Sequence, residues 1–128
     1  MEYVIAKTVK MNFNQAVKSI TESLKNEGFG IVTEINMSKT LNTKLGKDIP
    51  PYLILGACNP GYAFKAITTE PRVGVMLPCN VIVRQLDGLD VEVAAIDPIA
   101  SMSSIDNKDL MGFADEIKAK LQNAINAL

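Results

Sequence analysis

The chain contains no histidine and no tryptophan. Without an imidazole, Ser-His-Asp and Cys-His nucleophile activation, zinc sites that use histidine, and proton shuttling near neutral pH are all excluded. Catalysis would fall to a thiolate, a carboxylate, a lysine or a tyrosine. Neither Gly-x-Gly-x-x-Gly nor Gly-x-x-x-x-Gly-Lys occurs, so the two commonest phosphate cradles are missing as well. Charge of one sign is lacking too: 13 basic residues stand against 14 acidic ones. That balance gives no electrostatic footprint for nucleic acid or an anionic membrane, and neither is expected as a partner. No apolar run approaches the roughly 18 residues of a spanning helix, and Met1-Glu2-Tyr3 opens into an alternating pattern rather than a secretory leader. The expected location is the cytoplasm. There, two cysteines are reduced thiols rather than a structural disulfide.

What is present suffices for one domain spanning residues 1–128, with 48% of them apolar. Glu2 to Val9 is rich in β-branched residues and apolar on both sides, which predicts a strand covered on both faces. Asn12 and Gln15 stand at capping-box spacing, and Phe13, Ala16, Val17, Ile20 and Leu24 recur at helical spacing up to Gly28, a natural residue just past a helix end. The opposite face, with Lys18, Glu22 and Lys25, reads as ordinary solvated surface. Gly30 to Met37 alternates and predicts a second strand. Ser38 is placed to cap a short helix carrying Leu41 and Leu45 and ended by Gly46. Lys39, Lys44 and Lys47 beside that helix have the charge to hold an anion, although spaced lysines on a surface helix mostly serve solvation. Asp48-Ile49-Pro50-Pro51 then forces an extended or turning backbone.

Tyr52 to Ala57 predicts a third strand, and Asn59 with Pro60 behind it has the form of a helix start. That helix runs through Ala63, Phe64, Ala66 and Ile67 and stops before Pro71. Val73 to Leu86 is long for one strand, and Pro78 within it removes a ladder donor, which predicts a bulge, a bend or an edge. Asp87-Gly88 signals a hairpin; a two-residue loop would set Val81 opposite Ala94, Cys79 opposite Ile96 and Ile82 opposite Val93. Asp97-Pro98 ends the sheet. A polar connection through Ser101, Ser103 and Ser104 follows, and Asp106 with Asp109 is the expected capping pair of a last helix whose apolar stripe is Leu110, Phe113, Ala114, Ile117, Leu121, Ala124, Ile125 and Leu128.

This order predicts an α+β domain: a mainly antiparallel sheet of about five strands, with two long helices on one face. Two helices cannot cover both faces, yet several strands are apolar on both sides. Since a monomer rarely exposes a contiguous apolar patch of more than roughly a few hundred Å², the uncovered face predicts a homodimer, a small apolar ligand or a partner chain.

Three segments carry a resemblance: Glu27-Gly28-Phe29-Gly30-Ile31-Val32-Thr33-Glu34, Tyr52-Leu53-Ile54-Leu55-Gly56-Ala57-Cys58-Asn59-Pro60 and Gly74-Val75-Met76-Leu77-Pro78-Cys79. Over nearly its whole length the chain resembles the domain-of-unknown-function 302 family of small conserved prokaryotic proteins. The resemblance implies an α+β fold with a curved antiparallel sheet, similar to the TATA-box-binding-protein-like arrangement of strand, helix, four strands and helix. It implies no particular activity, and a likeness of fold to a DNA-binding protein implies no DNA binding.

Both cysteines fall within these segments, each followed by asparagine and close to proline. Cys58 precedes a helix start, where the macrodipole and free backbone donors favour a thiolate. Cys79 follows Pro78 in the next strand region, so the two thiols can approach in the sheet. Three readings stay open. The first is a homodimer that binds a small molecule or partner through Cys58, Asn59, Tyr62, Pro78, Cys79 and Asn80. The second is a thiol-dependent redox protein or enzyme with Cys58 as nucleophile and Cys79 as resolving thiol, and the third is a protein interaction module. Against all three, both cysteines can be small buried fillers, and Tyr52 and Tyr62 can be mere packing beside a strand end. No metal and no cofactor is expected: two thiolates without histidine would need a carboxylate such as Asp97, or a second subunit, to complete four ligands.

Overall fold

The structure, a computed structural model, describes residues 2–128. The chain runs β1 (Val4–Lys10), α1 (Phe13–Asn26), β2 (Gly30–Asn36), α2 (Met37–Leu45), β3 (Tyr52–Cys58), α3 (Pro60–Thr69), a 3₁₀ turn (Pro71–Met76), β4 (Cys79–Gln85), β5 (Asp90–Ile96), α4 (Pro98–Met102) and α5 (Lys108–Asn126). One five-stranded sheet has the order β1-β5-β4-β3-β2, antiparallel throughout. The α+β reading is thus met, with the strand, helix, four strands and helix in the expected order and three short helices added.

Both long helices lie on one sheet face, because odd-numbered strand residues and the helix stripes form a single cluster. Ile5, Leu53, Leu55, Val81, Val83, Val91 and Val93 meet Ile20 and Leu24 of α1 and Leu121 and Ile125 of α5. Fully burying one such side chain contributes about 1.5–3 kcal/mol, so these interlocked stripes dominate the fold. Helix α1 starts where expected: the Gln15 N–H donates to Asn12 Oδ1 at 2.7 Å. It ends in a Schellman arrangement, with Gly28 at φ 88° and the Phe29 N–H donating to the Leu24 carbonyl at 2.9 Å.

A second cluster sits beyond the sheet end, where Ala66, Val73, Met102, Leu110 and Ala114 pack together from α3, the 3₁₀ turn, α4 and the first half of α5. The opposite sheet face carries neither α1 nor α5. Across it runs an apolar row, Ala6–Ala94–Ile82–Ile54–Ile35, formed by directly paired residues on all five strands.

Several local expectations need correction. The single strand expected from Val73 to Leu86 is instead a 3₁₀ turn followed by a strand that begins only at Cys79. Pro71 opens the turn, and Pro78, lacking an N–H, sits just outside the ladder, joined to Leu77 by a cis bond. The β4–β5 register is Val81–Ala95, Ile82–Ala94 and Val83–Val93, one residue from the expected pairing. The hairpin loop holds three residues: the Leu86 N–H donates to the Asp90 carbonyl, with Gly88 at φ 63° between them. Helix α2 is capped by Asn36 rather than Ser38; Ser38 Oγ instead donates to Asn36 Oδ1 and accepts from the Tyr52 N–H. Helix α5 is capped by Asn107, not by Asp106 with Asp109, and the polar connection before it contains α4 with Met102 fully buried.

Candidate functional site

Strand β3 ends in a sequence of small residues, and each has a spatial reason. At Gly56 a Cβ would lie 2.0 Å from Thr33 Oγ1 and 2.6 Å from Pro78 Cγ, so no side chain fits where the neighbouring strand and the proline ring close over the backbone. Ala57 pairs with Cys79 across the ladder and is fully buried. Asn59 holds the N-cap position of α3, but its side chain does not cap the helix. Its Nδ2 donates to the Glu27 carbonyl at 3.3 Å, tying the end of α1 to the start of α3. The amide also packs against Gly28, where an added Cβ would stand 3.0 Å from it.

Beside these residues lies a cavity of about 290 Å³. The ends of β3 and β4 form its floor, and α3 and the first half of α5 form its walls. Ala63, Ala66 and Ile67 line it from α3; Leu110, Phe113, Ala114 and Ile117 line it from α5, with Phe29 and Met102 completing it. It occupies the seam between the two apolar clusters, drawing walls from both.

Of the residues singled out above, Cys58, Asn59, Tyr62, Pro78 and Cys79 all line this cavity. Asn80 does not: it is exposed, pairs with Gly56 and faces away. Tyr52, half-buried at the far end of β3, is absent from the lining. The two cysteines are free, Cys58 half-buried and Cys79 buried at 6% exposure. Burial pushes the Cys79 thiol up to about 11, with a further push from the neighbouring Cys58. Cys79 is therefore a neutral thiol at physiological pH. Asp97, considered above as a metal ligand, is engaged elsewhere: it accepts from the Ile99 N–H at 2.9 Å and pairs with Lys118 at 2.9 Å. Among the described residues there is no cluster of three or more histidine, cysteine, aspartate or glutamate side chains placed to hold a metal ion.

Val32 is a lining residue that strict alternation conceals. The β2–β3 register slips between Ile31 and Thr33, leaving Val32 as the extra residue of a bulge and turning it to the cavity rim. The α5 residues carried a helical signal, but the same stripe continues into the packed core. Periodicity does not distinguish a side chain facing a core from one facing a cavity.

The family model for the domain of unknown function DUF302 matches residues 5–128. The chain belongs to this family. A crystal structure of an uncharacterized conserved DUF302 protein from Bacillus stearothermophilus is similar to it at 26% identity, covering 99% of this chain and 98% of that one, with a TM-score of 0.92. No curated protein matches the chain. The family accounts for the fold and spans the whole candidate site, while its description names no ligand. No helix among the described residues is long and apolar enough to cross a membrane.

Proposed function

We propose that the protein binds a small apolar molecule in the cavity beside Cys58 and Cys79. The supporting observation is the cavity itself: about 290 Å³, with side chains of carbon apart from the two thiols, the Met102 thioether, Asn59 and Tyr62. An apolar space of about 150 Å³ suffices for benzene, so there is room here for a body roughly twice that size. The sheet ends and two helices fix the walls, and such preformed apolar concavity is what small-molecule sites share. A neutral fluorescent probe, N-phenyl-1-naphthylamine, tests the reading. Its emission should rise saturably on titration with the protein, and Ala63→Phe should abolish the rise while leaving the circular dichroism unchanged. A wild-type protein that gives no saturable rise would end the proposal.

A homodimer is proposed from a separate observation, the row Ala6–Ala94–Ile82–Ile54–Ile35 on the bare sheet face. In a two-fold contact this row meets its own copy. The neighbouring charges already satisfy one another within the chain, Arg84 with Glu92 at 2.7 Å and Lys10 with Asp90 at 3.0 Å, so they carry no unpaired charge into the contact. Light scattering should give twice the chain mass at micromolar concentration, and Ile54→Lys should give the monomer. A wild-type monomer would instead leave the face to a different chain, as in an interaction module.

Thiol chemistry with Cys58 as nucleophile and Cys79 as resolving thiol is the competing reading, and a reduced, cytoplasmic setting suits two free thiols. The raised pKa and burial of Cys79 weigh against it. Rapid iodoacetamide modification of both thiols at neutral pH would favour it; reaction of Cys79 only after unfolding would exclude it.

A further inference from the structure

We infer that the ligand of this cavity is an amphipathic acid, its apolar body between α3 and α5 and its carboxylate met at the rim by Lys65. The inference rests on the apolar-cavity reading above. Lys65 Nζ stands 5.3 Å from the centre of the Tyr62 ring and 5.9 Å from that of Phe113. Both rings line the cavity, one from each walling helix, so a single ammonium sits astride two aromatic walls. Among the described residues the ion pairs are Lys10–Asp90, Arg84–Glu92 and Lys118–Asp97, and Lys65 belongs to none of them. Its charge is uncommitted to any carboxylate among the described residues.

None of the residues lining the cavity carries a charge. The Asn59 amide donates to the Glu27 carbonyl, Cys79 is buried, and most of the remaining wall is carbon. Burying an unpaired charge there is strongly unfavourable, so a ligand that carries one must leave it at the opening. Val32 and Ile67 mark that opening, since both line the cavity while remaining 61% and 46% exposed. Lys65 is not itself a lining residue, but an ammonium held against two of the lining rings favours an anion at the mouth and disfavours a second cation, which selects an acid over an amine of the same shape.

Three eight-carbon probes that differ only in their head separate the possibilities: octanoate, 1-octanol and octylammonium, titrated by calorimetry into the full chain. Octanoate should bind more tightly than octylammonium. Because Lys65 is exposed, Lys65→Glu should keep the fold. It should weaken octanoate by about tenfold and leave 1-octanol within about twofold of wild type. Octylammonium binding as tightly as octanoate, or octanoate indifferent to Lys65→Glu, overturns the acid assignment and leaves the apolar cavity standing. Failure of all three probes overturns both.

Discussion

The two halves of α5 carry one continuous apolar stripe and meet different surroundings. The second half, with Leu121, Ala124 and Ile125, packs against α1 and a regular sheet face, and Ile117 at the midpoint belongs to that core while also lining the cavity. The first half, with Leu110 and Ala114, packs against α3, the 3₁₀ turn and α4, all short elements. Strands supply a flat, evenly spaced surface that side chains can fill at crystal-like density. Short helices joined by prolines offer surfaces that meet at odd angles, and the space left between them is the cavity. Identical patterning therefore builds structure in one region and a site in the other.

The sharpest way to break this comparison is truncation in each half. Leu121→Ala should lower the unfolding free energy by about 3–4 kcal/mol, whereas Leu110→Ala should cost about 2 kcal/mol because its side chain already faces space on one side. Urea denaturation measures both, and equal losses would show that the seam is packed as well as the core. Enlargement should divide the halves by sign. Ala124→Leu forces a methine and two methyl groups into filled space, for a loss of about 1–3 kcal/mol. Ala63→Leu extends into the cavity and should stabilise by about 0.5–1 kcal/mol while reducing probe uptake. Thermal unfolding of the two variants in opposite directions is the expected result.

Smaller effects come from the ties that hold the regions together. Asn59→Ala orphans the Glu27 carbonyl and should cost about 1 kcal/mol by urea titration. Its effect should be on stability rather than on helix α3 content, since the side chain is no cap. Asp97 joins α4 to the middle of α5 through Lys118. Burial alone would raise its carboxyl, but the Lys118 hydrogen bond and the Ile99 and Ala100 N–H groups outweigh burial and hold it below the usual carboxylate range. The folded-state value being depressed, this contribution is present above the ordinary aspartate pKa and lost as pH falls through the lowered one. Lys118→Gln should flatten the loss of stability between about pH 5 and pH 3 by less than about 1 kcal/mol.

The architecture was largely legible in the residues, because strands and long helices announce themselves by period. Leu24-to-Gly28 and the Leu110-to-Ile125 stripe required only local geometry. Five of the six candidate site residues also come together, since they flank the ends of neighbouring strands and α3. Three features were hidden for physical reasons. The β2 bulge breaks a two-residue period that continues unbroken in the sequence, and this conceals Val32. Asn36 and Asn107 were competing with equally good caps one or two residues away, and only tertiary contacts choose between them; Asn107 Nδ2, for instance, also reaches the Thr69 carbonyl at 3.3 Å. The hairpin register depended on a loop one residue longer than Asp87-Gly88 suggests.

Gly56 lies on the bare face of the sheet, yet the ring that rests over it belongs to Pro78, which also forms part of the cavity wall. Here the Thr33 hydroxyl and the Pro78 ring close directly over a residue that has no side chain. Gly56→Ala would therefore push on the Thr33 hydroxyl and on a ring of the cavity wall at once, so one methyl group on the sheet face should be felt at the cavity.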